Sequence, residues 1–455
     1  MPLNVKTMNK RLLLLIVILV AAFNANSNNI AVTNVSLVNQ SVAGPLASHF
    51  TFVKFDLSWD NSFRIAAGPA NWDAAWVFVK FQVTGGAGCT ASTAWNPATI
   101  NTTGHSGPAS IDGVSDTRGV FIYRSANGTG TNTFTNFQLR WNYPTDGLLD
   151  ACSVTIKVFA IEMVHVPTGA FYLGDGVIGA PGAGRFEATP YGAGNIFQVT
   201  SSTTPSILGG GGAGSLGNNN TAGQVQLDDF NTVSAQVLSG TYPNGFAKFY
   251  VMKYEVGQEQ YAEFLNTLTG TQQAQRTPAT TAGWFHGAGG GIVSPVNRNG
   301  VKCISPPSGA TPGQYASDLN NNGTVNEVAG DGRYLAMNFL SSPDLLAYLD
   351  WSGLRPMTEL ELEKACRGAL LPVPGEFANG AAAVTQANAL SNGGADNELS
   401  TTAGSNINYN NGLGGPARAG ISPPVFRRVL RQVQAGTVSW NFPETFGKMP
   451  SALVT

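Results

Sequence analysis

Charge is scarce in this chain. Lys and Arg number 25 against 27 Asp and Glu, 11% of 455 residues, for a formal net charge of −2. Gripping nucleic acid takes a basic stripe, and none is present; there is no acidic tail either. Histidine is scarcer still. His49, His105, His165 and His286 stand far apart with no H-E-x-x-H and no His-x-x-x-Glu pair, which leaves histidine-based metal or triad chemistry without support. The four cysteines include no C-x-x-C, which argues against a zinc knuckle or dithiol redox motif. After residue 23 no apolar stretch approaches the roughly 18 residues a membrane helix needs.

What is abundant is turn chemistry. Gly at 55 and Pro at 25, with many Asn, Thr and Ser, point to a loop-rich, mainly β protein, and 43% hydrophobic residues argue against disorder. Lys10 and Arg11 precede the apolar run Leu12–Phe23, and small residues follow at Ala22 and Ala25. A basic start, a short apolar core and small residues make residues 1–27 a secretory signal, with Met8 as plausible a start as Met1. Export would place the cysteines in an oxidising compartment. Cys89 could then pair with Cys152 and Cys303 with Cys366, among three possible connectivities.

Residues 28–162 alternate as β-strands do. In "HFTFVKFDLSW" Val53, Phe55, Leu57 and Trp59 share one side, while Phe50, Phe52, Lys54, Asp56 and Ser58 share the other. "AAWVFVKFQV" and "VTIKVFAIEMV" are similar β-rich runs, and Asn127-Gly128 between "GVFIY" and "FQLRW" predicts a hairpin. Such strands at short spacing predict a β-sandwich. Trp59, Trp72, Trp76 and Trp141 admit two readings, core anchors or a sugar-binding platform.

From Met163 onward the pattern is α+β. Tyr261, Phe264, Leu265 and Leu268 form one helical face, with Gly257 near its start and Gly270 at its end. Ser342 before Pro343 predicts a second N-terminus whose buried stripe is Leu345, Leu346 and Leu349. Thr358 with Glu361 is a capping box, with Leu360, Lys364 and Arg367 along one side and Leu362, Ala365 and Cys366 towards another.

Four segments in order, "MVHVPTGAFYLG", "FYVMKYEVGQEQYAEFLN", "MNFLSSPDLLAYLDW" and "LRPMTELELEKACRG", resemble the formylglycine-generating enzyme family, also called sulfatase-modifying factors. The resemblance spans residues 163 to about 421 and implies a variant of the C-type lectin fold with calcium-supported loops. In the family a cysteine pair in the C-terminal third binds copper(I) and activates oxygen to oxidise a substrate cysteine, two thiolates making a soft site for that ion. No such pair follows Cys366, so no catalytic and no cofactor-binding residue is assigned. Calcium and copper are implied only for intact family members.

Two departures stand out. Residues 177–245, with "GGGGAGSLGNNNTAG", are expected to be a surface-loop insertion. "DLNNNGTVNEVAGDG" places Asp318, Asn320, Asn322 and Gly323 at calcium-loop spacing, but its twelfth position is Ala329 where a bidentate Glu belongs, and an Asx-rich turn cluster is the expected structure.

The end of the chain, "VSWNFPETFGKMPSALVT", has no periodicity and no glycine-marked turn plan. Read one base over, Trp440-Asn441 forces Glu, because TGG and AAY yield GAA. The following residues then permit E-F-S-G-N-L-W-E. That string resembles the family's G-N-x-W-E segment, whose Asn and Glu supply calcium ligands. Residues 422–455 are therefore expected to be out-of-frame translation after one indel near Ile421, leaving the domain incomplete. The functional expectation is a secreted, non-catalytic relative of the family that contacts a glycan or protein at the cell surface. Metal-oxidase chemistry is the expectation for a full-length version.

Overall fold

The computed structural model describes residues 29–177, 185–191, 193–204, 206–219, 234–375, 383–409, 411–420 and 452–454. The leader expected at 1–27 lies outside them, as does all of 422–455 except 452–454. The fold is mainly β, with four α-helices among the described residues.

In chain order the N-terminal strands are β1 (Ala31–Ser41), β2 (Phe50–Arg64), β3 (Asp73–Gly86), β4 (Ser110–Gly113), β5 (Gly119–Tyr123), β6 (Gly128–Trp141) and β7 (Cys152–Val166). There follow β8 (Phe249–Met252), α1 (Gln258–Leu265), α2 (Gly270–Arg276), β9 (Val301–Ser305) and β10 (Gln314–Ser317). The last elements are α3 (Ser342–Ser352), β11 (Arg355–Pro356), α4 (Glu359–Arg367) and β12 (Ala452–Val454). Among the sheets of the described residues, one has three strands in the order β1–β2–β6, and the largest has eight, with the path β11–β12–β8–β7–β3–β5–β4 and Asn96–Pro97 paired beside β3.

Alternation sets the faces. Val53, Phe55, Leu57 and Trp59 of β2 are buried, and Phe52, Lys54, Asp56 and Ser58 lie on the more open side. The buried set packs with Phe137 and Leu139 of β6 against Ala75, Val77 and Val79 of β3 and Val120 and Ile122 of β5. The opposite face of the large sheet, Ala74, Trp76, Phe78, Phe121, Ile161 and Met163, packs on Tyr261, Phe264, Leu265, Leu345, Tyr348 and Leu349. Trp76 Nε1 also donates to Ser352 O at 2.8 Å, tying α3 to β3. Burial on both faces explains why "AAWVFVKF" is a near-continuous apolar run. Each large apolar side chain so enclosed contributes about 1.5–3 kcal/mol.

Several expectations need correction. The boundary at 162/163 falls inside β7, which pairs with β3 from Cys152 to Val164 and with β8 from Met163 to Val166. A strand buried from two sides cannot double as a linker. Asn127-Gly128 does not make a hairpin: β5 belongs to the large sheet and β6 to the small one. The turn signal is local, whereas the partner of the next strand is chosen by the core it closes. The insertion is more than loop. Arg185–Ala188, Ser206–Leu208, Leu216–Asn219 and Gln236–Leu238 form a four-stranded sheet, and Phe186, Val199 and Leu216 share a small core with Phe171, Leu173 and Leu360. Apolar residues spread so thinly among Gly and Asn leave no periodicity to read.

The helix faces hold with adjusted ends. Tyr261, Phe264 and Leu265 are buried, but Gly270 opens α2 behind the N-cap Thr269 and does not close α1. Ser341, not Ser342, caps α3, in a capping box with Asp344. Leu345 and Leu349 are buried while Leu346 is 50% exposed, because one residue is about 100° of helix rotation. Thr358 and Glu361 form the expected capping box of α4, which buries Leu360, Lys364 and Ala365.

Candidate functional site

Three charged residues interrupt apolar strand sequence: Asp73 at the start of β3, Glu162 within β7 and Lys253 just after β8. Strand register brings them together. Ala75 pairs with Glu162 and Met252 with Met163, so Lys253 falls beside Glu162, and Asp73 lies two residues from Ala75 on the same face. Lys253 Nζ donates to Glu162 Oε2 at 2.9 Å, Asp73 Oδ2 at 3.0 Å and Asn61 O at 3.1 Å. Asp73 also accepts from Trp59 Nε1 (2.9 Å), Ser62 Oγ (2.8 Å) and the Phe63 amide (3.0 Å).

Glu162 is served less well, since its Oε1 is buried without a hydrogen-bond partner. Burial pushes this carboxyl up to about 7, against the pull of Lys253. Burial also disfavours the Lys253 ammonium, but Asp73 and Glu162 outweigh it and hold the group well above its ordinary value. A carboxyl titrating near neutrality beside an ammonium is the kind of pair that can move a proton. The three side chains are at most 1% exposed, so a substrate could reach them only if β8 parted from β2 and β3. As folded, the cluster balances buried charge and fastens β8 to the N-terminal sheets.

A shallower feature is a groove beside the Cys89–Cys152 disulfide, lined in part by Leu37, Asn39, Gln40, Tyr143, Leu149 and Asp150. At its edge His49 Nδ1 lies 2.8 Å from Asp150 Oδ1, and Nε2 lies 3.0 Å from Gly44 O. Both partners are acceptors, an arrangement that favours the protonated ring, which alone can donate from both nitrogens. The hydrogen bond to Asp150 accordingly raises the His49 pKa. Asp150 also accepts from the Tyr143 hydroxyl at 2.5 Å, which lowers its own pKa. An imidazole with both nitrogens engaged has no free site to act as a base.

The remaining histidines pack. His165 stacks on Trp72 with ring centroids 3.9 Å apart, and burial pushes it down to about 4. His286 sits between Thr277 Oγ1 (3.0 Å) and Phe339 O (3.3 Å) and is likewise pushed by burial to about 4. His105 Nδ1 accepts from the Arg140 amide at 3.1 Å. The tryptophans do not assemble into a platform. Trp59 and Trp141 are buried in the core between the sheets, Trp76 is buried in the second core, and Trp72 stacks on His165 and Tyr123.

Of the two pairings that spacing left open, Cys89–Cys152 is formed, whereas Cys303 and Cys366 are free. They stand on β9 and α4. Burial raises the Cys303 thiol, which donates to Ser305 O at 3.3 Å, and pushes Cys366 up to about 12. Copper(I) calls for paired thiolates, and two protonated thiols on separate elements do not fit it. Among the described residues no group of three or more His, Cys, Asp or Glu is placed to hold a metal. No helix among them is long and apolar enough to cross a membrane. The shifted-frame segment after Trp440 lies outside the described residues. No family model, no curated protein and no solved structure matches this chain.

Sequence reading passed over Asp73, Glu162 and Lys253. The available signal was a charge inside each of three apolar runs in a chain that is only 11% charged.

Proposed function

We propose that this chain is an exported, non-catalytic relative of the formylglycine-generating enzymes. In this reading an N-terminal β-sandwich carries an incomplete C-type-lectin-like domain, and the protein binds a glycan or protein ligand at the cell surface. The state of the two free thiols carries the proposal. Cys303 and Cys366 lie on different elements, and burial favours the protonated form of each, the opposite of what a copper(I) site demands. The Cys89–Cys152 disulfide supports export, since such bonds persist in oxidising compartments. Copper(I) titration of the full chain, with a cysteine-peptide oxidation assay, tests the reading. No tight binding and no turnover is expected; either one would overturn it. Glycan-array screening should use the whole chain, because β7 contributes to both regions.

The shifted-frame string supports a second reading, in which an unbroken gene product regains the G-N-x-W-E segment and with it a metal-dependent oxidase. The coding DNA decides between them. If codons 422–455 do not re-read as G-N-[aliphatic]-W-E one frame over, the second reading fails.

A further inference from the structure

We propose that the loop from Asp318 to Asp331 is a calcium site, with Asp318 Oδ1 and Asp331 Oδ1 as its anionic ligands and side-chain amide and main-chain oxygens of the turn completing the shell. Both carboxylates are fully buried. One oxygen of each is engaged: Lys302 Nζ donates to Asp318 Oδ2 at 2.6 Å, and the Glu327 amide to Asp331 Oδ2 at 2.6 Å. The other oxygen of each is buried with no hydrogen-bond partner. Buried carboxylate oxygens without donors are costly and uncommon, and two in one loop are suited to a cation.

The chain brings the two together. The Leu319 amide donates to Asp331 O at 3.3 Å, so Asp331 returns beside Asp318 after the turn. Asn320 and Asn322 hold the turn by accepting from the Asn322 amide (2.9 Å) and the Thr324 amide (2.8 Å). Of Asp318, Glu327 and Asp331 only Asp318 is paired with an ammonium, that of Lys302, while nearby Arg333 is paired with Asp396 and Glu259. That leaves two negative charges, the charge of a divalent cation. The donors are all oxygen and the turn is irregular, which suits calcium better than magnesium with its strict octahedron.

The missing Glu at Ala329 is thus replaced by an aspartate two residues later. This site lies apart from the tail segment to which the family resemblance assigns calcium, and it stands or falls independently of the proposed function. Its effect would be structural. The loop meets the 394–396 segment through Gly332 N to Gly394 O at 2.7 Å and Asp396 N to Val328 O at 2.9 Å, and calcium would hold that junction closed.

The test is calorimetric titration of chelator-treated full chain with calcium chloride, alongside terbium luminescence. Saturable binding of one ion is expected, in the range of about 0.1–1 mM typical of extracellular sites. The thermal midpoint should rise with calcium concentration. Asp331→Asn should weaken binding at least about tenfold by removing one of two anionic ligands. Should that variant fail to fold, Asn322→Ala, at an exposed position, should weaken it too. No saturable binding below about 10 mM would mean that water serves these oxygens and would overturn the proposal. Unchanged affinity in the variant that folds would overturn it equally.

Discussion

Two buried lysines fasten the two joints of this molecule, and they do so by different means. Lys253 joins β8 to the N-terminal sheets through two carboxylates at 2.9 and 3.0 Å. Lys364 joins α4 to the strand-and-loop region before it through neutral carbonyls, donating to Pro167 O (2.7 Å), Gly245 O (2.6 Å) and Phe246 O (3.1 Å). Glu361, one turn away on α4, is bonded to Arg355 and to the Thr358 amide. The environments therefore act on charge in opposite senses. Burial pushes Lys364 down to about 8, whereas the carboxylates outweigh burial at Lys253 and hold it well above its ordinary value. A carbonyl cage satisfies an ammonium's hydrogens without balancing its charge; a carboxylate pair does both.

The comparison is broken most severely at Lys253. Lys253→Ala leaves two carboxylates facing each other out of water and should cost about 3–5 kcal/mol in denaturant unfolding. Because β7 lies in the ladders of both regions, one transition should move as a whole; an unmoved second transition would show that the regions fold apart. Lys364→Met keeps the stem but strands three acceptors, for an expected loss of about 1–3 kcal/mol. Equal losses in the two variants would contradict the distinction.

Alkali sharpens it further. Lys364 titrates at about 8 in the fold and at 10.5 in the unfolded chain, so its contribution grows as pH rises across that window. Lys253 is raised, so its contribution is complete below 10.5 and is lost as pH climbs from there through the folded value. Burial pushes Lys80 down to about 8 as well, so denaturant midpoints through the window should climb less steeply in Lys364→Met than in the native chain, and an unchanged slope would remove Lys364 from this account.

The smallest expected effect is in acid. His165 and His286 titrate at about 4 when folded and 6.5 when unfolded, so the stability they confer is present above 6.5 and falls away towards 4. Glu162, raised to about 7 from 4.5, opposes them: its contribution is complete below 4.5 and is lost as pH rises through 7. His286→Gln should flatten the decline in midpoint between about pH 7 and about pH 5. An unchanged slope would remove His286 from this account.

Local features were legible in the sequence. The inward set Val53, Phe55, Leu57 and Trp59 follows from alternation, the α1 face from its spacing, and the α4 start from Thr358 and Glu361. Each depends on residues within a turn or two of one another. The small sheet inside 177–245 was not legible, because its apolar residues are too sparse to show a period. Nor was the choice of cysteine partners, which spacing leaves open. Of the buried charge cluster only the oddity of charges in apolar runs was visible.

By itself, then, the sequence determined which faces of its strands and helices are apolar, where α4 begins, and that the chain is mainly β. Tertiary structure decided that β5 and β6 part into different sheets, that β7 runs unbroken through the expected boundary, and that Lys253 meets its carboxylates. The reason is physical. A backbone ladder accepts nearly any side chain, so strand partners follow from which cores close, not from local pattern. Charge compensation is likewise blind to distance along the chain: Lys253 finds Glu162 across 91 residues and Asp73 across 180.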